Sequence, residues 1–226
     1  MLDSQKTVAQ LVLDHSECAA VFQRHRIDYC CSGQATIATA AEEKRVDLHL
    51  LLSELGQAIE ERADRAGTGT DPRTRSTKDL IGFVIARYHV PLRASLRFVQ
   101  PLAMKVRRVH GDHNPLLVEL DAVVTELAES LVEHMDVEEE TLFPALLAEA
   151  PDVAVVAREL QAMQADHLEV AGLLERMRAA AEDFRLPDWA CNSYRTLFAE
   201  LEKIEADLFE HVHLENHVLM PRFVAA

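Results

Sequence analysis

The stretch His134-Met135-Asp136-Val137-Glu138, closed by Leu142-Phe143-Pro144, decides how this chain is read. A second copy stands near the C-terminus: His211-Val212-His213-Leu214-Glu215, closed by Leu219-Met220-Pro221. Both follow the pattern His-x-x-x-Glu-x-x-x-Leu-[Phe/Met]-Pro. Residues four apart on an α-helix lie one above the other on one face. Each segment therefore aims an imidazole and a carboxylate at a single point. Two such segments on facing helices would bring two histidines and two carboxylates into one pocket, the construction of dimetal sites in helix-bundle cores.

The rest of the chain supplies a scaffold of the right kind. Glycine and proline are scarce (7 and 8 of 226 residues), aromatics are few, and the 49% hydrophobic content suffices for a core. That mix favours helix over sheet. A formal charge of −15 argues against a nucleic-acid partner, because phosphate neutralisation requires an excess of Lys and Arg. No apolar run approaches the roughly 18 residues of a membrane span, and the N-terminus lacks a secretory pattern. A cytoplasmic protein without a membrane partner is expected. Four cysteines in such a chain are not a disulfide framework. Eleven histidines, most of them after residue 84, are a compositional hint of metal.

Residues 1–60 read as a small helical domain, interrupted by Tyr29-Cys30-Cys31-Ser32-Gly33. Residues 61–76 lose hydrophobic periodicity, collect Gly, Thr, Pro and Arg, and read as a linker. Residues 77–226 carry four long helical patterns: about 78–109, opened by a capping box at Ser76 and Asp79, then 116–149, 153–183 and 189–218. Short connections between long helices make antiparallel neighbours, so the predicted fold is all-α, an up-down-up-down four-helix bundle preceded by a small helical domain.

Helix arithmetic tests whether the histidines meet. At 1.5 Å per residue, His89 lies about 31 Å before the first helix ends, and His134 about 28 Å after the second opens. His134 and His167 likewise match across the second connection, at about 21 and 22 Å. His211 fits less well, about 34 Å from Trp189 against at most about 27 Å for His167. Either the fourth helix starts later or the connection folds back. The expected ligand set is His89, His134, Glu138, His167, His211 and Glu215. Four imidazoles and two carboxylates exceed a tetrahedral zinc site and are too nitrogen-rich for calcium or magnesium. They suit two ions with bridging carboxylates, iron first and manganese second.

Other polar residues read differently. His110 and His113 sit at a helix end, where an imidazole caps carbonyls. His213, Asn216 and His217 flank the second motif in solvent-facing or supporting roles. Glu139, Glu140 and Asp166 are by default charged helix surface, with orientation of the imidazoles as the alternative. Cys18 and Cys191 read as small apolar residues near turns, a reading that suits the Cys30-Cys31 pair less well.

These residues resemble the hemerythrin-like fold, and the order of motifs resembles the repair-of-iron-centres di-iron proteins of bacteria. That family joins a short domain carrying Tyr-Cys-Cys, here Tyr29-Cys30-Cys31, to a hemerythrin-like bundle. The bundle is matched by Tyr88-His89, His134 to Glu139, Asp166-His167 and His211 to Asn216. Oxygen-carrying hemerythrins have two histidines four apart on the third helix. Here His167 is followed at that spacing by Ala171, which leaves a more open site and argues against simple oxygen storage. The resemblance implies two iron ions in an oxo- and carboxylate-bridged centre. It also implies protection from oxidative and nitrosative stress by repair of damaged iron–sulfur proteins, through donation of iron. Cys30 and Cys31 are the candidates for the reactive step, receiving iron as thiolates or cycling through oxidation. Two alternatives remain at this point: an enzyme reducing nitric oxide or peroxide at the di-iron centre with an external reductant, and a sensor that binds O2 or NO.

Overall fold

In the computed structural model, which describes residues 2–64 and 71–224, the regular elements are helical. The one β-type contact among the described residues is an isolated antiparallel bridge between Thr7 and Thr36. The chain divides into two compact units, Met1–Arg75 with Phe209–Arg222, and Ser76–Leu208 with Phe223–Ala226.

The first unit holds α1 (Val8–Asp14), α2 (Cys18–Arg24), α3 (Ile37–Glu43) and α4 (Leu48–Asp64). Thr7 and Thr36 cap α1 and α3, each hydroxyl accepting from the backbone N–H three residues on, which satisfies a donor the helix leaves open. The apolar faces meet in a core of Val8, Leu11, Phe22, Ile27, Tyr29, Ile37, Leu51 and Leu55, with Phe209 packed against it. Helix α4 runs to Asp64, beyond the end that hydrophobic periodicity marks. Arg62 explains the extension, since it reaches Ser16 Oγ at 2.8 Å and Glu17 at 3.5 Å. Of the remaining expected linker, residues 65–70 lie outside the described residues. Pro72–Thr74 form a 3-10 turn capped by Asp71, and Arg73 pairs with both Asp71 and Asp14.

The second unit is the bundle. Helix α5 (Thr77–Val84) opens at Ser76, whose hydroxyl accepts from the Asp79 N–H, as the sequence spacing predicts. It continues through a π turn, Ile85–His89, into α6 (Val90–His110). Helix α7 (Leu116–Val137) continues through a second π turn, Glu138–Leu142, into the short α8 (Phe143–Leu147). Then come α9 (Val153–Ala180), capped by Asp152, and α10 (Asn192–Leu214). A third π turn, Glu215–Leu219, comes after α10 in the first unit.

Ion pairs record the direction of each helix. Arg107 pairs with Asp121 and Arg93 with Asp136, so α6 and α7 run antiparallel. Arg176 with Glu119, and His134 with Asp166, do the same for α7 and α9. Lys105 near Ser193 and Arg87 near Asp207 set α10 antiparallel to the first helix. The architecture is thus an up-down-up-down four-helix bundle, as expected.

Helix α10 begins at Asn192, later than the pattern from Trp189 indicates. The connection before it turns left-handed at Glu182, Asp183 and Phe184, with φ of 51°, 59° and 57°. That conformation costs roughly 1–2 kcal/mol per non-glycine residue. Packing of Phe184 on Phe198, with the Arg178 guanidinium 4.8 Å over the Phe184 ring, offsets it. Among the described residues no helix is long and apolar enough to cross a membrane.

Candidate metal centre

Within the bundle, the expected ligands His89, His134 and His167 gather around Glu138. His89 is fully buried, and its Nε2 lies 3.3 Å from Glu138 Oε2. His134 Nε2 lies 3.4 Å from the other oxygen, Oε1. His134, Glu138 and His167 each offer a ligand atom within 4.8 Å of the others, and the His134 and His167 rings meet edge to face at 4.9 Å. Glu138 is 1% exposed, and neither of its oxygens accepts a hydrogen bond among the described residues. A buried carboxylate without donors is costly unless a cation completes it. Imidazole nitrogens on both of its oxygens are the donor set that a transition-metal ion supplies with a partner.

The imidazoles are held by their far nitrogens. His89 Nδ1–H donates to Glu139 Oε1 at 2.9 Å, and Arg93 donates to the same oxygen at 3.1 Å. Burial opposes ionisation of Glu139, but the hydrogen bonds from His89 and Arg93 outweigh it and hold the carboxyl below the usual range. His134 Nδ1–H points to Asp166 Oδ2 at 3.4 Å. In both cases Nε2 is left facing Glu138, which fixes the tautomer that ligation needs. Glu139 and Asp166, charged surface by default in the sequence, thus orient the imidazoles. Replacing Glu139 by alanine is expected to lower metal affinity about 10–100-fold with helical content unchanged. Competition with a chelator measures this, and undiminished affinity would show that His89 needs no such support.

The remaining expected pair lies on the Phe209–Arg222 segment, where His211 Nε2 approaches Glu215 Oε1 at 2.9 Å, both side chains buried. The three π turns give these segments a shared geometry that residue spacing alone does not reveal. In each, a backbone N–H bonds to the carbonyl five residues back: Val90 to Ile85, Phe143 to Glu138, and Met220 to Glu215. His89 ends the first turn, and Glu138 and Glu215 begin the other two. A proline stands after each turn at the same offset: Pro91, Pro144 and Pro221. Proline has no N–H and its ring crowds the carbonyl four residues back; the wider turn accommodates both. Pro101, inside α6 with no π turn before it, shows that proline permits the widening and does not impose it. The extra residue rotates the downstream helix by about 100°, and π turns of this kind concentrate at functional sites.

The Cys30-Cys31 loop belongs to the first unit and is built on Asp28. Its Oδ1 accepts from the N–H groups of Cys30 and Cys31, each at 2.9 Å, and Oδ2 accepts from Ser32 at 3.1 Å. The Cys30 thiol donates to Oδ1 at 3.0 Å, and the two sulfurs are 3.7 Å apart. The hydrogen bond with Cys31, burial and the charge of Asp28 together push the Cys30 thiol well above its ordinary value. Behind the loop, His213 Nδ1–H donates to the Tyr29 carbonyl at 3.2 Å. Asn216 and His217 donate to the Cys30 carbonyl at 3.2 and 2.8 Å. Burial pushes His213 down to about 3 and lowers His217 as well, so both clamp as neutral rings. Gly33 is required here, because a Cβ on it would come within 2.5 Å of the Tyr29 carbonyl and 2.8 Å of His217 Nε2. The clamp was not legible in the sequence, since its partners are 184 to 187 residues apart.

Two other expectations resolve. Cys18 is a core residue whose thiol burial pushes up to about 12. Cys191, by contrast, is exposed, and its sulfur lies 3.2 Å from His110 Nε2, beside Trp189. It is not a packed apolar residue.

Comparison with known proteins agrees with this layout. Residues 4–59 match the family model of a domain of unknown function, DUF542, and residues 82–223 match the hemerythrin HHE cation binding domain. The iron-sulfur cluster repair protein ScdA of Staphylococcus haemolyticus is 32% identical over 225 residues, covering 99% of this chain and all of that protein. The iron-sulfur cluster repair protein YtfE of Enterobacter sp. is 32% identical over 218 residues, 96% of each chain. YtfE of Yersinia pseudotuberculosis is 31% identical over 217 residues, 96% of each chain. With a cation-binding domain match over most of its length and relatives aligned from end to end, the chain belongs to the hemerythrin HHE family and carries the DUF542 match ahead of that domain.

Proposed function

We propose that the chain is a di-iron protein that repairs iron–sulfur clusters damaged by oxidative or nitrosative stress, by giving up iron to them. The observation that carries the reading is Glu138, buried with no hydrogen-bond donor among the described residues while its two oxygens face the imidazoles of His89 and His134. His89, His134, Glu138 and His167 are too few ligands for two ions. The second His-x-x-x-Glu segment repeats the first, with its own π turn and proline, and the sequence pattern names its His211 and Glu215 as the remaining ligands. The hemerythrin HHE match over residues 82–223 spans all six. Iron here is cargo as well as ligand-bound metal, and histidine and carboxylate donors hold it without the permanence of a thiolate cage. Cys30 and Cys31 are the residues that take iron up as thiolates on its way to a client. The ScdA and YtfE relatives carry cluster repair in their names, which supports the same substrate class. The protein acts in the cytoplasm, where cysteines remain reduced.

The test incubates the iron-loaded full chain with an iron–sulfur enzyme whose cluster has been damaged. Client activity is expected to recover in step with iron lost from the donor, and to recover less with Cys30→Ala/Cys31→Ala. No transfer from the wild-type protein overturns the proposal. Sustained turnover of nitric oxide or peroxide with a reductant, without iron loss, would favour the enzymatic reading instead.

A further inference from the structure

We infer that Asp28, Cys30 and Cys31 form a metal site of their own, a three-ligand S2O cradle for a divalent cation of borderline-to-soft character. Their ligand atoms lie within 4.8 Å of one another. The spacing of the sulfurs is the independent sign. Two thiolates on one tetrahedral ion, each at about 2.3 Å, stand about 3.8 Å apart. The Cys30 and Cys31 sulfurs stand at 3.7 Å. Neighbouring cysteines ordinarily send their side chains apart, and here the backbone is arranged so that they converge.

Three features produce that convergence. Asp28 gathers the N–H groups of Cys30, Cys31 and Ser32 on its carboxylate, which folds the loop around one oxygen pair. Asn216 and His217 hold the Cys30 carbonyl from behind, and His213 the Tyr29 carbonyl. The loop backbone is thereby fixed through its carbonyls as well as its N–H groups. Gly33 allows the close approach of His217. None of this is needed to pack two small apolar residues.

The donor set selects the ion. Two thiolates exclude calcium and magnesium, and a single carboxylate oxygen is compatible with ferrous iron, cobalt or zinc. Three protein ligands leave a fourth position, through which a client thiolate exchanges with the loop. Binding breaks two S–H bonds, forms two metal–sulfur bonds and releases two protons to solvent. No electron changes hands and no oxidant is required. Only the choice of iron as the physiological ion rests on the repair reading; the cradle itself does not.

Cobalt(II) is the probe. The full-length protein, thiols reduced and bundle metal in place, is titrated with cobalt(II) under anaerobic conditions. Sulfur-to-cobalt charge-transfer absorption is expected to saturate at about one added ion per chain. The band disappears in Cys30→Ser and in Cys31→Ser. In Asp28→Asn the affinity falls by no less than the roughly 10–100-fold expected for loss of a group that merely supports a ligand. Glu138→Gln, which the repair reading expects to weaken bundle metal, keeps the band, so the two ideas fail separately. Circular dichroism confirms that each variant is folded. Cys31→Ser, at a partly exposed position, decides the matter if Asp28→Asn is not. A wild-type titration without thiolate absorption overturns the cradle, as does a band that survives loss of either cysteine.

Discussion

Replacing Glu138 by alanine is expected to empty the bundle of metal. Glu138 faces His89 through one oxygen and His134 through the other, so its removal takes a ligand from two positions at once. Metal analysis of the purified variant reads the effect directly. A thermal comparison separates loss of binding from loss of fold. A ligand present at a thousandfold excess over its Kd stabilises the native state by roughly 4 kcal/mol. For a chain of this length that is about 8–16 °C in Tm. Wild type should show such a rise on metal addition and the variant none. Without metal, the variant is expected to be no less stable than wild type, because a buried carboxylate lacking donors is itself unfavourable. Metal content unchanged in the variant would remove Glu138 from the centre and, with it, the ground for the six-residue set.

The second large effect concerns the N-terminal unit. Tyr29 is fully buried and its ring meets Phe22 at 6.4 Å, Phe209 at 5.6 Å and His213 at 5.3 Å. Truncating a buried aromatic costs about 3–5 kcal/mol, a large share of what a unit of this size possesses. Tyr29→Ala should therefore open the adjoining Cys30-Cys31 loop. Cys30, 5% exposed, reacts with an alkylating reagent only when the loop opens. Lowering the opening free energy by that amount should speed alkylation on the order of 10²–10³-fold. Tyr29→Phe keeps the ring and removes the hydroxyl that Gln23 approaches at 3.4 Å, so its change should stay within about 1 kcal/mol. An alkylation rate unaffected by Tyr29→Ala would mean that the clamp of His213, Asn216 and His217 holds the loop unaided.

Much of this protein is legible in its sequence, and the reason is the range over which helical rules act. The four-residue spacing of His134 with Glu138 and of His211 with Glu215 is local geometry, fixed by 3.6 residues per turn. Apolar periodicity, the Ser76 cap and the scarcity of glycine and proline likewise act within a turn or two. Bundle direction came from the short connections between long helices. Tertiary structure decided what such rules do not reach. The π turns shift phase by one residue, a change that the spacing His-x-x-x-Glu does not record. The start of α10 at Asn192 depends on a left-handed turn held by Phe184 on Phe198. Glu139 and Asp166 became imidazole supports only because the π turn before α6 brings His89 beside the first, and α9 brings the second beside the α7 residue His134. The hold of His213, Asn216 and His217 on the Tyr29-Cys30 backbone joins residues from opposite ends of the chain through main-chain carbonyls. A carbonyl is the same in every residue, so nothing in the identities of Tyr29 or Cys30 announces which side chain will find it.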